Sequence, residues 1–167
     1  MSIAENIAAV RSRIAAAAES AGRRPEDILL VGASKMNDAA ACREAIAGGL
    51  TALGENRVQE LLEKDAQGAY AGAALHFIGR LQRNKVKYLV GRVDLIESID
   101  SLALLQEVQR LAEKRGVTQD ILLEVSAAGE ESKGGLPMTE VYSVAEAALG
   151  LPNVRVRGLM TIPPVCA

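Results

Sequence analysis

The sequence predicts an α/β protein with a parallel sheet. Short apolar segments alternate with helical patterns, and most of those segments are apolar throughout rather than at every second residue, as in strands covered on both faces. Six of them start between residues 28 and 154 at a pitch of about 25 residues, which suits a doubly wound sheet or a (β/α)8 barrel. No GxGxxG follows the first strand, which argues against the dinucleotide-binding version of the sheet.

In order, "ILLVGAS" (28–34), "LTALGEN" (50–56), "LHFIGR" (75–80), "VDLIES" (93–98), "DILLEVS" (120–126) and "VRVRGLMTI" (154–162) are too short for ordinary helices, and several are rich in β-branched residues. Ahead of them, Ile3, Ile7, Val10 and Ile14 repeat at helical spacing and predict an amphipathic helix packed on the outside, within residues 1–24. Asp38 is placed to cap "AAACREAIA", which stops at Gly48–Gly49. Ser101 is placed to cap "LALLQEVQRLAEKR", where Leu102, Leu105, Val108 and Leu111 share one face and Gly116 ends the run. Pro137 is expected to open the helix before the sixth strand.

The chain is of a length for one domain, residues 1–167. Its hydrophobic content is 49% but aromatics are 2%, so Ala, Leu, Val and Ile must build the core. Nineteen basic residues against 21 acidic ones leave a net charge of −2, with no arginine-rich tail and few stacking aromatics; nucleic acid is not an expected partner. No apolar run approaches the ~18 residues that span a bilayer, so no membrane partner is expected. The first residues lack the order of a secretion signal, and Cys42 and Cys166 match no metal or disulfide spacing. A reducing, cytoplasmic setting follows as the default expectation.

In parallel α/β folds the functional face lies at the carboxyl ends of the strands. Lys35 falls there after the first strand, Glu55–Asn56 after the second, Arg80 after the third, Ser98, Ser126 and Met160–Thr161 after the rest. A lysine at a dry barrel mouth is disfavoured as the ammonium, and its neutral amine attacks an aldehyde to form a Schiff base; an ordinary surface lysine at a strand end is the alternative. Asn56 is placed either to hydrogen-bond a ligand oxygen or to cap the following helix, and spacing alone favours the cap. His76, the single histidine, has no partners at ligand spacing and reads as a core histidine. Arg80, Arg83, Lys85, Lys87 and Arg92 within "RLQRNKVKYLVGR" read as a solvated helix face. "AAGEESKGGLP" lacks the phosphate-loop order and reads as a loop over the mouth.

Together "VGASKMN", "GLTALGENRVQE", "LHFIGRLQRNKVKYLVGRVDLIESIDS", "GEESKGG" and "VRGLMTIPP" resemble, in order from about residue 28 to 164, the pyridoxal phosphate homeostasis protein family. The resemblance implies a (β/α)8 TIM barrel of the alanine racemase N-terminal type, here with about six of eight units. It implies pyridoxal 5'-phosphate (PLP) held as a Schiff base on Lys35, which matches the family's cofactor lysine in an "SK" pair. Asn56 and Met160 map to the cofactor cavity, with His76 a weaker candidate. The family is thought to store or deliver the cofactor, so PLP-dependent apo-enzymes are implied partners and a non-catalytic carrier is the expected role; a racemase-like enzyme is the alternative, and a fragment that no longer binds cofactor a third. Alanine racemases add a β domain and a second acid–base group, commonly tyrosine, whereas Tyr70, Tyr88 and Tyr142 are expected in helices or loops away from the strand ends. Ser126 stands where the family usually has asparagine, and Gly134 where serine is frequent. The family continues through two more strands that cup the phosphate, so a truncated barrel is expected, with weak cofactor binding and, through its open edges, a monomer or weak self-association.

Overall fold

The computed structural model describes residues 2–127 and 134–163. The "GEESK" part of the loop over the mouth, Pro164 and Cys166 lie outside the described residues. The chain forms two compact units, residues 1–75 and 76–167.

In the first unit α1 (Ile3–Ser20) starts from a capping box in which Ser2 and Glu5 satisfy each other's backbone N–H. A single 3-10 turn, Pro25–Asp27, leads to β1 (Val31–Ala33). Asp38 then accepts a hydrogen bond from Ala41 N and starts α2 (Ala39–Ala47), as its spacing predicts. β2 (Ala52–Glu55) pairs with β1 in parallel, Val31 opposite Ala52 and Ala33 opposite Gly54. All four β2 residues are buried, which explains its unbroken apolar run up to Glu55. α3 (Val58–Asp65) buries Val58, Leu61 and Lys64, an inner stripe whose last member is a charge.

β3 (Ala74–Phe77) crosses from one unit to the next. In the second unit it pairs in parallel with β4 (Leu95–Ile99), and β4 with β5 (Gln119–Ser126). α4 (Leu102–Arg115) starts at Ser101 and ends at Gly116, whose φ of 65° is the left-handed conformation that closes helices. Leu104, Leu105, Val108 and Leu111 carry its buried face; Leu102, expected on that face, is exposed at the first turn. The basic segment forms a 3-10 helix, Arg83–Tyr88, and the Lys85 and Lys87 ammonium groups lie 5.7 and 5.1 Å from the Tyr88 ring.

Pro137 does not open a helix. Leu136–Pro137 is a two-residue strand, β6, paired in parallel with Val125 and Ser126 at the end of β5, and α5 begins at Val141. Gly135 makes this possible: its φ is 121°, and a Cβ there would lie 2.7 Å from Ser126 N. β7 (Val154–Met160) returns alongside β5, from Gln119 opposite Val154 to Glu124 opposite Met160. Phe77, Ile96, Ile99, Leu105, Ile121 and Leu123 fill the core of this unit.

Candidate functional site

The carboxyl ends of β1 and β2 carry the densest chemistry of the first unit. The ladder continues past β1, since Ser34 N donates to Gly54 O at 2.9 Å. One step further in the same register, Ser34 Oγ reaches Glu55 Oε1 at 2.7 Å. Glu55 is wholly buried, and its Oε1 also accepts from Lys64 Nζ (2.6 Å) and from Tyr70 OH (3.1 Å). Lys64 Nζ donates in addition to the Ser34 carbonyl at 2.8 Å. A buried carboxylate is tolerated when it is paired and hydrogen-bonded, and this one has an ammonium and two hydroxyls on Oε1, while its Oε2 is buried with no partner among the described residues. Burial, reinforced by Glu55, pushes the Tyr70 phenol far above its ordinary value, so it stays protonated. Burial likewise raises the thiol of the free, buried Cys42 on α2.

Lys35 follows Ser34 at the corner of a turn closed by Asn37 N donating to Ser34 O (3.1 Å). It is exposed, which corrects the expectation of a dry mouth around it: the buried lysine at these strand ends is Lys64. The Lys35 amine makes no hydrogen bond or ion pair among the described residues, so it is available. Met36, next in the turn, has a φ of 64°. A non-glycine residue in that region is uncommon and marks a backbone held by its surroundings.

Asn56 does not cap α3. The cap position is Arg57, without a side-chain hydrogen bond, and Asn56 Oδ1 is buried with no partner among the described residues. Asn56 follows the last residue of β2 as Lys35 follows Ser34 at the end of the adjacent β1, so the unsatisfied acceptor and the amine stand after neighbouring strand ends. An unpaired buried acceptor is costly and calls for a ligand, an ion or water.

The other two candidates belong to the second unit. His76 is buried, and its Nδ1 lies 2.7 Å from Glu97 Oε1, so it is a partnered histidine. Met160 ends β7 opposite Glu124. Ser98, at the end of β4, has a buried hydroxyl with no partner among the described residues.

The sequence reading missed Glu55, Lys64 and Tyr70 as one cluster. Tyr70 was expected away from the strand ends, but its hydroxyl reaches the last residue of β2. The available signal was a carboxylate inside an otherwise apolar strand, which requires a cation, and a lysine extending the Val58–Leu61 stripe.

Residues 3–166 match the family described as alanine racemase, N-terminal domain. The chain is 47% identical to the pyridoxal phosphate homeostasis protein of Aquifex aeolicus, over 98% of this chain and 72% of that protein. It is 43% identical to the protein of the same name from Pseudomonas aeruginosa, over 96% and 70%. Among solved structures, PipY of Synechococcus elongatus with PLP bound superposes with a TM-score of 0.84 at 33% identity, covering 99% of this chain and 72% of that one. An alanine racemase from Clostridium difficile shares the fold, with a TM-score of 0.72 at 14% identity over 84% of this chain and 37% of that one.

Proposed function

The chain belongs to the pyridoxal phosphate homeostasis protein family, with the alanine racemase N-terminal fold, and on that premise we propose that it binds PLP through Lys35 and serves the cell's handling of that cofactor. PLP supplies an aldehyde that condenses with primary amines. The residues of the first unit fit such a ligand. Lys35 offers an accessible amine on a turn fixed at the end of β1, and Asn56 offers an unsatisfied acceptor at the adjacent strand end. The orphaned Asn56 oxygen is the observation that carries the reading, because a folded chain leaves a buried acceptor unpaired where something else completes it. Met160 and His76 are proposed as further cofactor contacts on family grounds alone.

A carrier role is supported over a racemase role by Tyr70. Chemistry at an α-carbon needs a second acid–base group poised near neutrality. The Tyr70 hydroxyl is committed to Glu55, and its environment holds it protonated. PLP-dependent apo-enzymes are the proposed recipients. A reducing, cytoplasmic setting is proposed as well, consistent with the free thiol of Cys42. No helix among the described residues is long and apolar enough to cross a membrane.

The test is borohydride reduction of the PLP-loaded chain followed by peptide mass mapping. The expected result is a phosphopyridoxyl adduct concentrated on Lys35 and lost in Lys35→Ala. Labelling spread evenly over the exposed lysines would overturn the assignment.

A further inference from the structure

The turn that carries Lys35 is gripped from one side by a single helix. Lys64 Nζ donates to the Ser34 carbonyl at 2.8 Å, which belongs to the peptide group preceding Lys35. Glu60 Oε2 accepts from Met36 N at 3.3 Å, which belongs to the peptide group following it. Glu60 and Lys64 are four residues apart on α3, adjacent on its surface, with Lys64 Nζ 3.9 Å from Glu60 Oε2. We propose that this pair is a clamp whose task is to aim Lys35, and that Glu60 and Lys64 are positioning residues for the cofactor amine. The inference rests on the reading of Lys35 as the cofactor lysine.

Three features of the turn support it. Met36 is 91% exposed, so packing does not hold its left-handed backbone; the contact to Glu60 and the turn's own hydrogen bonds do. Asn37 closes the remaining freedom, its N donating to Ser34 O (3.1 Å) and its Nδ2 to Lys35 O (3.3 Å). The backbone around Lys35 is thus tied at four atoms while its amine is left unengaged, as a residue that must meet a ligand requires. The buried end of the clamp has its counter-charge: Glu55 pairs with Lys64, so the ammonium that grips Ser34 O is stabilised inside the unit. Glu60, also bonded to Arg57 at 3.3 Å, is the accessible jaw and the one to probe without emptying the core.

Glu60→Gln keeps an amide oxygen for Met36 N but removes the charge that Arg57 and Lys64 face. Glu60→Ala removes both. Wild type and the two variants are titrated with PLP, reduced with borohydride and mapped, and the PLP concentration for half-maximal labelling of Lys35 is read against that of Lys114, an exposed lysine on α4. A thermal melt establishes that each variant is folded. Loss of one hydrogen bond to a charged acceptor predicts about a tenfold rise in that concentration for Glu60→Ala. For Glu60→Gln the change should stay within about twofold, with Lys114 unchanged in all three. The Met36 amide should also exchange faster in Glu60→Ala than in Glu60→Gln, in the absence of PLP. Equal labelling of Lys35 and equal Met36 exchange in the two variants overturns the clamp while the cofactor reading stands. No preference for Lys35 over Lys114 in wild type overturns the cofactor reading, and the inference with it.

Discussion

Glu55 ends β2 in the first unit, and Glu124 lies near the end of β5 in the second; they are 0% and 7% exposed. Glu55 receives an ammonium, a hydroxyl and a phenol on one oxygen. Among the described residues Glu124 forms no ion pair. Burial, and after it the negative charge of Asp100, raises its pKa, and Arg80 pulls the other way. The same side chain near the ends of two strands is therefore ion-paired in one unit and, in the other, sits where burial favours its protonated form. What differs is the supply of a cation. α3 buries a lysine on its inner stripe, whereas α4, which packs beside β5, buries leucines and Gln109. Whether a buried carboxylate near a strand end meets a cation depends on the helix packed beside it.

The largest effect expected from breaking this arrangement is in the first unit. Lys64→Met leaves Glu55 buried without its cation, and loss of one partner of a buried ion pair costs about 3–5 kcal/mol. Urea denaturation should show that loss, and adding Glu55→Gln to the same chain should recover part of it, because the stranded charge is then gone. A loss below about 1 kcal/mol would mean that Glu55 is not held as an anion by Lys64. Next in size is Tyr70→Phe, which removes one hydrogen bond to a charged acceptor, about 1.5–2 kcal/mol. Its pH signature has a definite sign. The folded-state pKa of Tyr70 is raised, so its contribution is complete below the unfolded tyrosine value of about 10 and is lost as pH rises past it. Stability of the wild type should fall in that alkaline range more steeply than that of Tyr70→Phe; parallel curves would place the phenol outside the cluster.

Much of this fold is legible in the chain because local chemistry and global structure agree. Asp38 and Ser101 start their helices, Gly116 ends one, and the continuous apolar runs become paired parallel strands. Lys35 and Asn56 stand at adjacent strand ends, as their positions after apolar runs require. The misses share one cause, which is that side-chain partners distant in sequence decide them. Glu55 meets Tyr70 fifteen residues away and Ser34 twenty-one away, a pairing that no periodicity reveals. Exposure at a strand end is no easier to foresee. Lys35 and Lys64 are both lysines near apolar runs, and only packing determines that the helix residue is buried while the strand-end residue meets solvent. Pro137 failed as a helix start because Gly135 lets the chain double back onto β5 before α5 begins.

The smallest effect, and a gain where the others are losses, is expected at the other carboxylate. The folded-state pKa of Glu124 lies above the unfolded one, so its contribution is fully present below the unfolded glutamate value of about 4.3 and is lost as pH rises through the folded value. When ionised, Glu124 is a desolvated carboxylate facing Asp100, with Gly134 so near that a Cβ there would lie 3.6 Å from Glu124 Oε1. Glu124→Gln keeps the shape and removes the charge. Its Tm should exceed that of the wild type at neutral pH, and the gap should narrow as pH falls through the carboxylate range and close in acid. The gain should be smaller than either loss in the first unit, because Glu124→Gln removes only a desolvation cost and the repulsion of Asp100, partly offset by Arg80, whereas the first-unit variants remove direct contacts to Glu55. A variant less stable than wild type at neutral pH would show that Glu124 has found a cation after all, and the contrast between the two strands would reduce to a difference of degree.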